Sequence, residues 1–216
     1  LLDATAADGE PYRRIDNITD EVLAEYRESF GKEVSKDDIF FHVYGLLHSP
    51  VYRERYQADL KKMLPRITKV EGFREFSDAG RKLSELHLGY ESVDPYPLEV
   101  TEPLDPSYRV QKMKFAGSGK NKDRSTIVYN DQITVAGIPE EAYRYMLGSR
   151  SAIEWIMDRY QVKTDKKSGI VNDPNDWADE HGEPRYILDL LCRIVTVSIE
   201  TMKIVDDLPS LVEIAD

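Results

Sequence analysis

Residues 37–56 constrain this chain more than any other stretch, because a dense apolar run, a helix stop and a second helix start follow one another there without a break. Ile39, Val43, Leu46 and Leu47 fall at i, i+4, i+7 and i+8, which makes one apolar helix face. Ser35 and Asp38 form a capping pair at its start. Ser49 is a good N-cap and Pro50 suits a first helical turn, where a missing N–H costs nothing. A second helix therefore starts at Pro50, carries Tyr52, Tyr56, Leu60 and Met63 along one stripe, and stops at Pro65.

The rest of the chain is ordered as helices, strands, then helices. A first helix begins near Thr19, with Ile18 and Leu23 placed for a hydrophobic staple, Val22, Tyr26 and Phe30 along its stripe, and Gly31 at its end. Phe73, Phe76, Gly80, Leu83 and His87 recur at helical spacing before Gly89. Pro95, Pro97, Pro103 and Pro106 then mark a connector to a different architecture. Beyond it, residues 110–115 alternate as a strand, 117–122 turn, 125–129 return, and 133–135 form a third short strand. Pro139 starts a helix with Glu140 and Glu141 near its positive end, and Ser151 with Glu154 caps another bearing Ile153, Ile156, Met157 and Tyr160. A long helix from about Pro184 is apolar on several sides, so it should be a central packing element. The expected class is α+β, with a helical N-terminal half, a small antiparallel β-sheet in the middle and helices at the C-terminus. Residues 1–17 are expected as a linker or disordered tail, 18–94 as a helical subdomain and 95–216 as an α+β subdomain with a basic hairpin.

At 216 residues the chain can bury a real core. No apolar run approaches a membrane span and no secretory leader is visible, so a cytoplasmic location is expected. The start at Leu1 rather than methionine points to a piece of a longer polypeptide. Cys192, the single cysteine, lies among Leu190, Leu191 and Ile194 and is expected as a small buried apolar residue. The net charge of −11 argues against a simple nucleic-acid binder. Its distribution alters that conclusion: residues 108–125 hold Arg109, Lys112, Lys114, Lys120, Lys122 and Arg124 against Asp123 alone, a local +5 that leaves −16 for the remainder.

Apparent active sites fail when tested by spacing. Gly117-Ser118-Gly119-Lys120 lacks the glycine five positions before Gly119 and the Ser or Thr after the lysine that a P-loop needs, since Lys114 and Asn121 stand there. Asp94 and Glu99 suggest a metal-dependent nuclease, but Thr101 occupies the place of its lysine. Asp173, Asp176, Asp179, Glu180 and His181 lack the glycine and terminal glutamate of a calcium loop, so a solvated loop beginning a helix is expected. His42 and His48 are six apart rather than four, and His87 lies in an apolar helix, which favours packing over metal ligation. Asn172-Asp173-Pro174-Asn175 has the wrong order for a methyltransferase loop. No catalysis is expected of this piece alone.

Charge by itself leaves two readings of residues 108–125 open, a nucleic-acid-facing hairpin and a solvated one. The wording from His48 to Tyr56, through 64–67, Phe73 and 83–88, resembles the C-terminal target-recognition region of type ISP restriction-modification enzymes and related methyltransferase-nuclease fusions. The resemblance continues through 108–115, 135–139 and 194–202; Thr68, where a second proline is expected, departs from it. It implies a specificity module that binds duplex DNA beside methyltransferase and helicase-like domains of the same polypeptide, whose S-adenosylmethionine, ATP and magnesium sites lie outside this piece. The lysines and arginines of the hairpin would then contact phosphates, while Gln111, Asn121 or Arg124 tests base edges. The competing reading is a coupling module that braces other domains and never touches DNA.

Overall fold

The computed structural model describes residues 16–63, 65–119 and 121–214, so all but the last two positions of the expected linker lie outside the described residues, as does Lys120. The chain has the α+β architecture and forms two compact units. One comprises the described residues up to Ser84 together with those from Leu208 onward, the other Glu85–Asp207.

The first unit is built from α1 (Asp20–Phe30), α2 (Lys36–His48), α3 (Pro50–Arg55), α4 (Gln57–Leu60) and most of α5 (Phe73–Leu88). The starts of α1, α2 and α3 are capped as the sequence implies. Val22 N–H donates to Thr19 Oγ1 at 3.3 Å. Ser35 and Asp38 form a reciprocal capping box, and Tyr52 N–H donates to Ser49 Oγ at 3.4 Å. Such caps satisfy the backbone donors that an α-helix leaves open at its N-terminus. The face of α2 that packs inward comprises Ile39, His42, Gly45 and Leu46, with Val43 and Leu47 half-buried, so the expected apolar stripe is shifted toward the polar and small residues. The glycines explain the shift. A Cβ on Gly80 would sit 1.8 Å from the Phe41 carbonyl oxygen, and one on Gly45 would sit 2.2 Å from the Phe76 carbonyl oxygen, so α2 and α5 cross with backbone almost touching backbone.

The helix expected to run from Pro50 to Met63 breaks at Tyr56, and Met63 is exposed in a left-handed conformation with φ +58°. The two tyrosines of the stripe account for the break. Tyr52 Oη donates to the Arg66 carbonyl and Tyr56 Oη to Glu213 at 2.7 Å, which requires the chain to reverse soon after α4. The returning segment pairs Val70 with Glu213 in an isolated antiparallel bridge, and Leu211 and Leu208 join Leu46, Tyr52, Val70 and Phe76 in one core.

The second unit carries a four-stranded antiparallel sheet of β1 (Glu99–Thr101), β2 (Lys114–Ala116), β3 (Asp123–Val128) and β4 (Thr134–Ala136), in the order β1-β4-β3-β2. The proline-rich stretch read as a connector thus supplies a strand, Val100 pairing with Val135. Pro97 and Pro103 flank β1 without lying in it, so neither removes an N–H from its ladder. A one-turn 3₁₀ helix (Glu140–Arg144), the short strands β5 (Met146–Leu147) and β6 (Arg150–Ser151), α6 (Ala152–Arg159), β7 (Lys163–Thr164), β8 (Val171–Asn172) and α7 (Asn175–His181) follow. Last comes α8 (Tyr186–Asp206), whose Ile187, Leu188, Leu191 and Val195 are buried in the same core as Ile127, Tyr129, Ile133 and Ile153. Cys192 is buried on α8, where desolvation pushes its thiol up to about 11. No helix among the described residues is long and apolar enough to cross a membrane.

Candidate nucleic-acid interface

β2 and β3 form the expected hairpin, with Lys114 opposite Val128 and Phe115 opposite Ile127. Strand alternation sorts its two faces: Phe115 and Ile127 turn toward the core while Lys114 stays exposed. A register shift between Phe115 and Ala116 leads into the turn, where Gly117 has φ +76° and a Cβ would meet the Asn121 carbonyl oxygen at 2.2 Å. Gly117 is therefore fixed by the geometry of the turn, and Gly119 also has positive φ, which gives the glycines of this stretch a structural role.

The strand expected over 110–115 is shorter, starting at Lys114. Upstream of it, the buried Asn175 side chain takes the place of a neighbouring strand. Val110 N–H donates to Asn175 Oδ1 at 2.8 Å and Asn175 Nδ2 donates back to the Val110 carbonyl at 2.9 Å. Both backbone groups of a fully buried residue are thus satisfied by one amide side chain at the start of α7. Asn130 also holds this segment, donating to the Ser107 and Arg109 carbonyls at 2.7 and 3.1 Å.

The basic residues divide into two groups. Arg109 donates to Asp173 at 2.8 Å and to Asp179, so its charge is answered by two carboxylates of the acidic cluster. The Asp173 carboxyl lies below its ordinary value; burial would raise it, but Asn175 donors and Arg109 outweigh that. Arg124 pairs with Glu154 at 3.4 Å and lies over the rings of Tyr143 and Phe115, at 4.2 and 5.3 Å from their centroids. Lys112, Lys114 and Lys122 are exposed and make no ion pair among the described residues; Gln111 and Asn121 are exposed beside them. Open hollows of about 640 and 350 Å³ flank the hairpin, and Lys122 lines both. On the following elements, Arg144 is held bidentately by Asp206 at 2.8 and 2.6 Å, and Arg150 pairs with Asp158 at 3.2 Å. The acidic cluster, expected as a solvated loop beginning a helix, leads into α7 and also anchors Arg109 through Asp173 and Asp179, while Asp173 accepts from the Asn175 N–H.

Sequence reasoning missed Asn175 and Tyr143, and it read Glu154 only as a capping residue. The Ser151-to-Glu154 spacing does announce the cap. That the second oxygen of Glu154 would meet Arg124, thirty residues earlier, has no local signature.

The family model for the Type ISP C-terminal specificity domain matches residues 2–190, and the chain belongs to that family. Solved structures similar to it include the following three. A nuclease-deletion mutant of the Type ISP restriction-modification enzyme LlaGI, in complex with a DNA substrate mimic, is 49% identical with a TM-score of 0.75 over 83% of this chain. The ATP-dependent Type ISP enzyme LlaBIII bound to DNA is 42% identical, with a TM-score of 0.79 over 89%. A DrdV–DNA complex is 35% identical, with a TM-score of 0.78 over 91%. The chain spans 14%, 12% and 20% of the length of those three chains, respectively. No curated protein matches it.

Proposed function

We propose that this chain recognises the DNA target of a restriction-modification polypeptide, binding duplex so as to position an adenine methyltransferase and a translocating nuclease carried elsewhere on that polypeptide. The observation that carries the proposal is that three similar structures, each of them 35% identical or more, are complexes with DNA or with a DNA substrate mimic. In this reading Lys112, Lys114, Lys122 and Lys120 contact phosphates, Gln111 and Asn121 reach toward base edges, and Arg109 with its two aspartates anchors the root of the hairpin. The lysines that make no ion pair among the described residues favour this division, because a cation already neutralised by carboxylates, as Arg109 is, releases few counterions when it meets a phosphate. The chain acts as a binding module; methyl transfer, ATP hydrolysis and strand cleavage, with S-adenosylmethionine, ATP and magnesium, belong to the other parts of such a polypeptide.

The test is duplex binding by the purified chain across a salt series. Binding that weakens steeply as salt rises is expected. Failure to bind any duplex, alone or within the larger polypeptide, would instead make the chain a coupling module.

A further inference from the structure

Resting on the DNA-recognition reading, we propose that Arg124 reads a guanine of the target through its guanidinium fork and that Glu154 is the positioning residue that sets its pose. Of the two arginines in the hairpin segment, Arg109 has both terminal nitrogens engaged by carboxylates. Arg124 is held differently. Its guanidinium lies against Tyr143 and near Phe115, one terminal nitrogen faces Glu154, and the side chain keeps 49% of its surface exposed.

Each restraint on Arg124 comes from a separate element. Tyr143, on the 3₁₀ helix, also pins the backbone, its hydroxyl donating to the Arg124 carbonyl at 2.6 Å. Phe115 lies on the partner strand, packed edge-on against Tyr143 with ring centroids 5.9 Å apart. Glu154 divides its two oxygens: Oε2 accepts from the Ser151 N–H and hydroxyl at 3.0 and 2.8 Å, which caps α6, and Oε1 faces Arg124. The orientation of α6 is thereby passed to the guanidinium. Its carboxyl is partly buried, which would raise its pKa, yet the Ser151 donors and Arg124 hold it below the ordinary value, so it stays an anion at neutral pH.

This is the arrangement that base reading needs. A planar fork matches the O6 and N7 acceptors of guanine in the major groove, and no other base presents two acceptors there. A fork stacked in advance loses little conformational freedom on binding, whereas the exposed lysines nearby present point charges that suit phosphates and discriminate poorly.

The experiment selects binding sites from a randomised duplex library with the wild-type chain, Arg124→Lys and Glu154→Gln, and then replaces each guanine of the wild-type site by 7-deazaguanine, which lacks the N7 acceptor. Wild type is expected to lose about 5- to 150-fold in affinity at one guanine. Arg124→Lys, whose ammonium lacks the planar fork, should enrich the same site with a weakened preference at that one G·C pair and should lose less than wild type on 7-deazaguanine there. Glu154→Gln, whose amide oxygen can still cap α6, should melt like wild type and discriminate less at the same position. If wild type tolerates 7-deazaguanine everywhere, or if Arg124→Lys discriminates at every position as strongly as wild type, the assignment of Arg124 is wrong while DNA recognition stands. If wild type enriches no site at all, either alone or within the larger polypeptide, both proposals fall.

Discussion

The two compact units reach their folds by different kinds of instruction. In the helical unit the decisive signals act within one turn of themselves: Thr19 on Val22, Ser35 on Asp38, Ser49 on Tyr52. In the sheet unit they act across the chain, as Val100 on Val135, Asn175 on Val110 and Glu154 on Arg124. Local signals can specify helices because each cap replaces a bond the helix lacks; a short strand has no such marker, since its partners are supplied from far away. The helical unit is closed by backbone-to-backbone packing, while the sheet unit presents an exposed hairpin braced from beneath.

The strongest way to break this contrast is at the glycine crossing. Gly80→Ala would drive a methyl group to 1.8 Å from a backbone oxygen, which no rotamer change relieves. A loss of about 3 kcal/mol is expected in denaturant melts; a neutral substitution would show that α2 and α5 do not meet there.

A comparable effect should follow from pH. His42 is fully buried against Tyr26, Phe73 and Phe76, with neither ring nitrogen reaching a hydrogen-bond partner at good geometry. Desolvation lowers its pKa from 6.5 to about 4. Because the folded value lies below the unfolded one, the unfolded chain binds the extra proton between them, so stability is intact above pH 6.5 and declines as pH falls toward about 4. The decline attributable to His42 is about 3 kcal/mol. His48, also lowered by burial, adds in the same direction. His42→Leu should flatten most of the slope between those pH values, and an unchanged slope would place the titration elsewhere.

In the sheet unit, Asn175→Ala leaves the buried N–H and carbonyl of Val110 without partners. It should lower stability by about 2 kcal/mol, and hydrogen exchange at the Val110 amide should accelerate with it. Ser49→Ala, which removes only the cap of α3, should lower stability by about 1 kcal/mol, read as a shift in the thermal midpoint. If the alanine variant at Asn175 proves milder than that at Ser49, the long-range clamp matters less than the local cap and the contrast is reversed.

Legibility follows the same division. The starts of α1, α2, α3 and α6 stand in the sequence because a serine or threonine cap is a local choice. The end of the Pro50 helix is not legible, since what turns the chain after α4 is the hydroxyls of Tyr52 and Tyr56 finding Arg66 and Glu213. β1 is hidden by its length of three residues and by the prolines on either side of it, which read as a connector. At the candidate interface the exposed basic cluster can be counted from the sequence, but not the sorting of its members. Arg109 and Arg124 acquire their carboxylates only through the fold, and Lys112, Lys114 and Lys122 stand apart by having none among the described residues.

That sorting is the centre of the account, and it concerns charges whose removal should leave folding almost untouched. Changing Lys112, Lys114 and Lys122 together to glutamine should alter stability by less than about 0.5 kcal/mol. The direct measurement is the salt dependence of duplex binding for wild type and this triple variant, made in the chain and in the larger polypeptide. The slope of log affinity against log salt should fall by about 0.9 for each phosphate that the variant no longer neutralises, and by about 2.7 if all three lysines engage phosphates. The Arg109→Gln variant should change the slope far less. An unaltered slope in the triple variant, with duplex binding intact, would contradict the assignment and move the DNA-binding surface away from the hairpin.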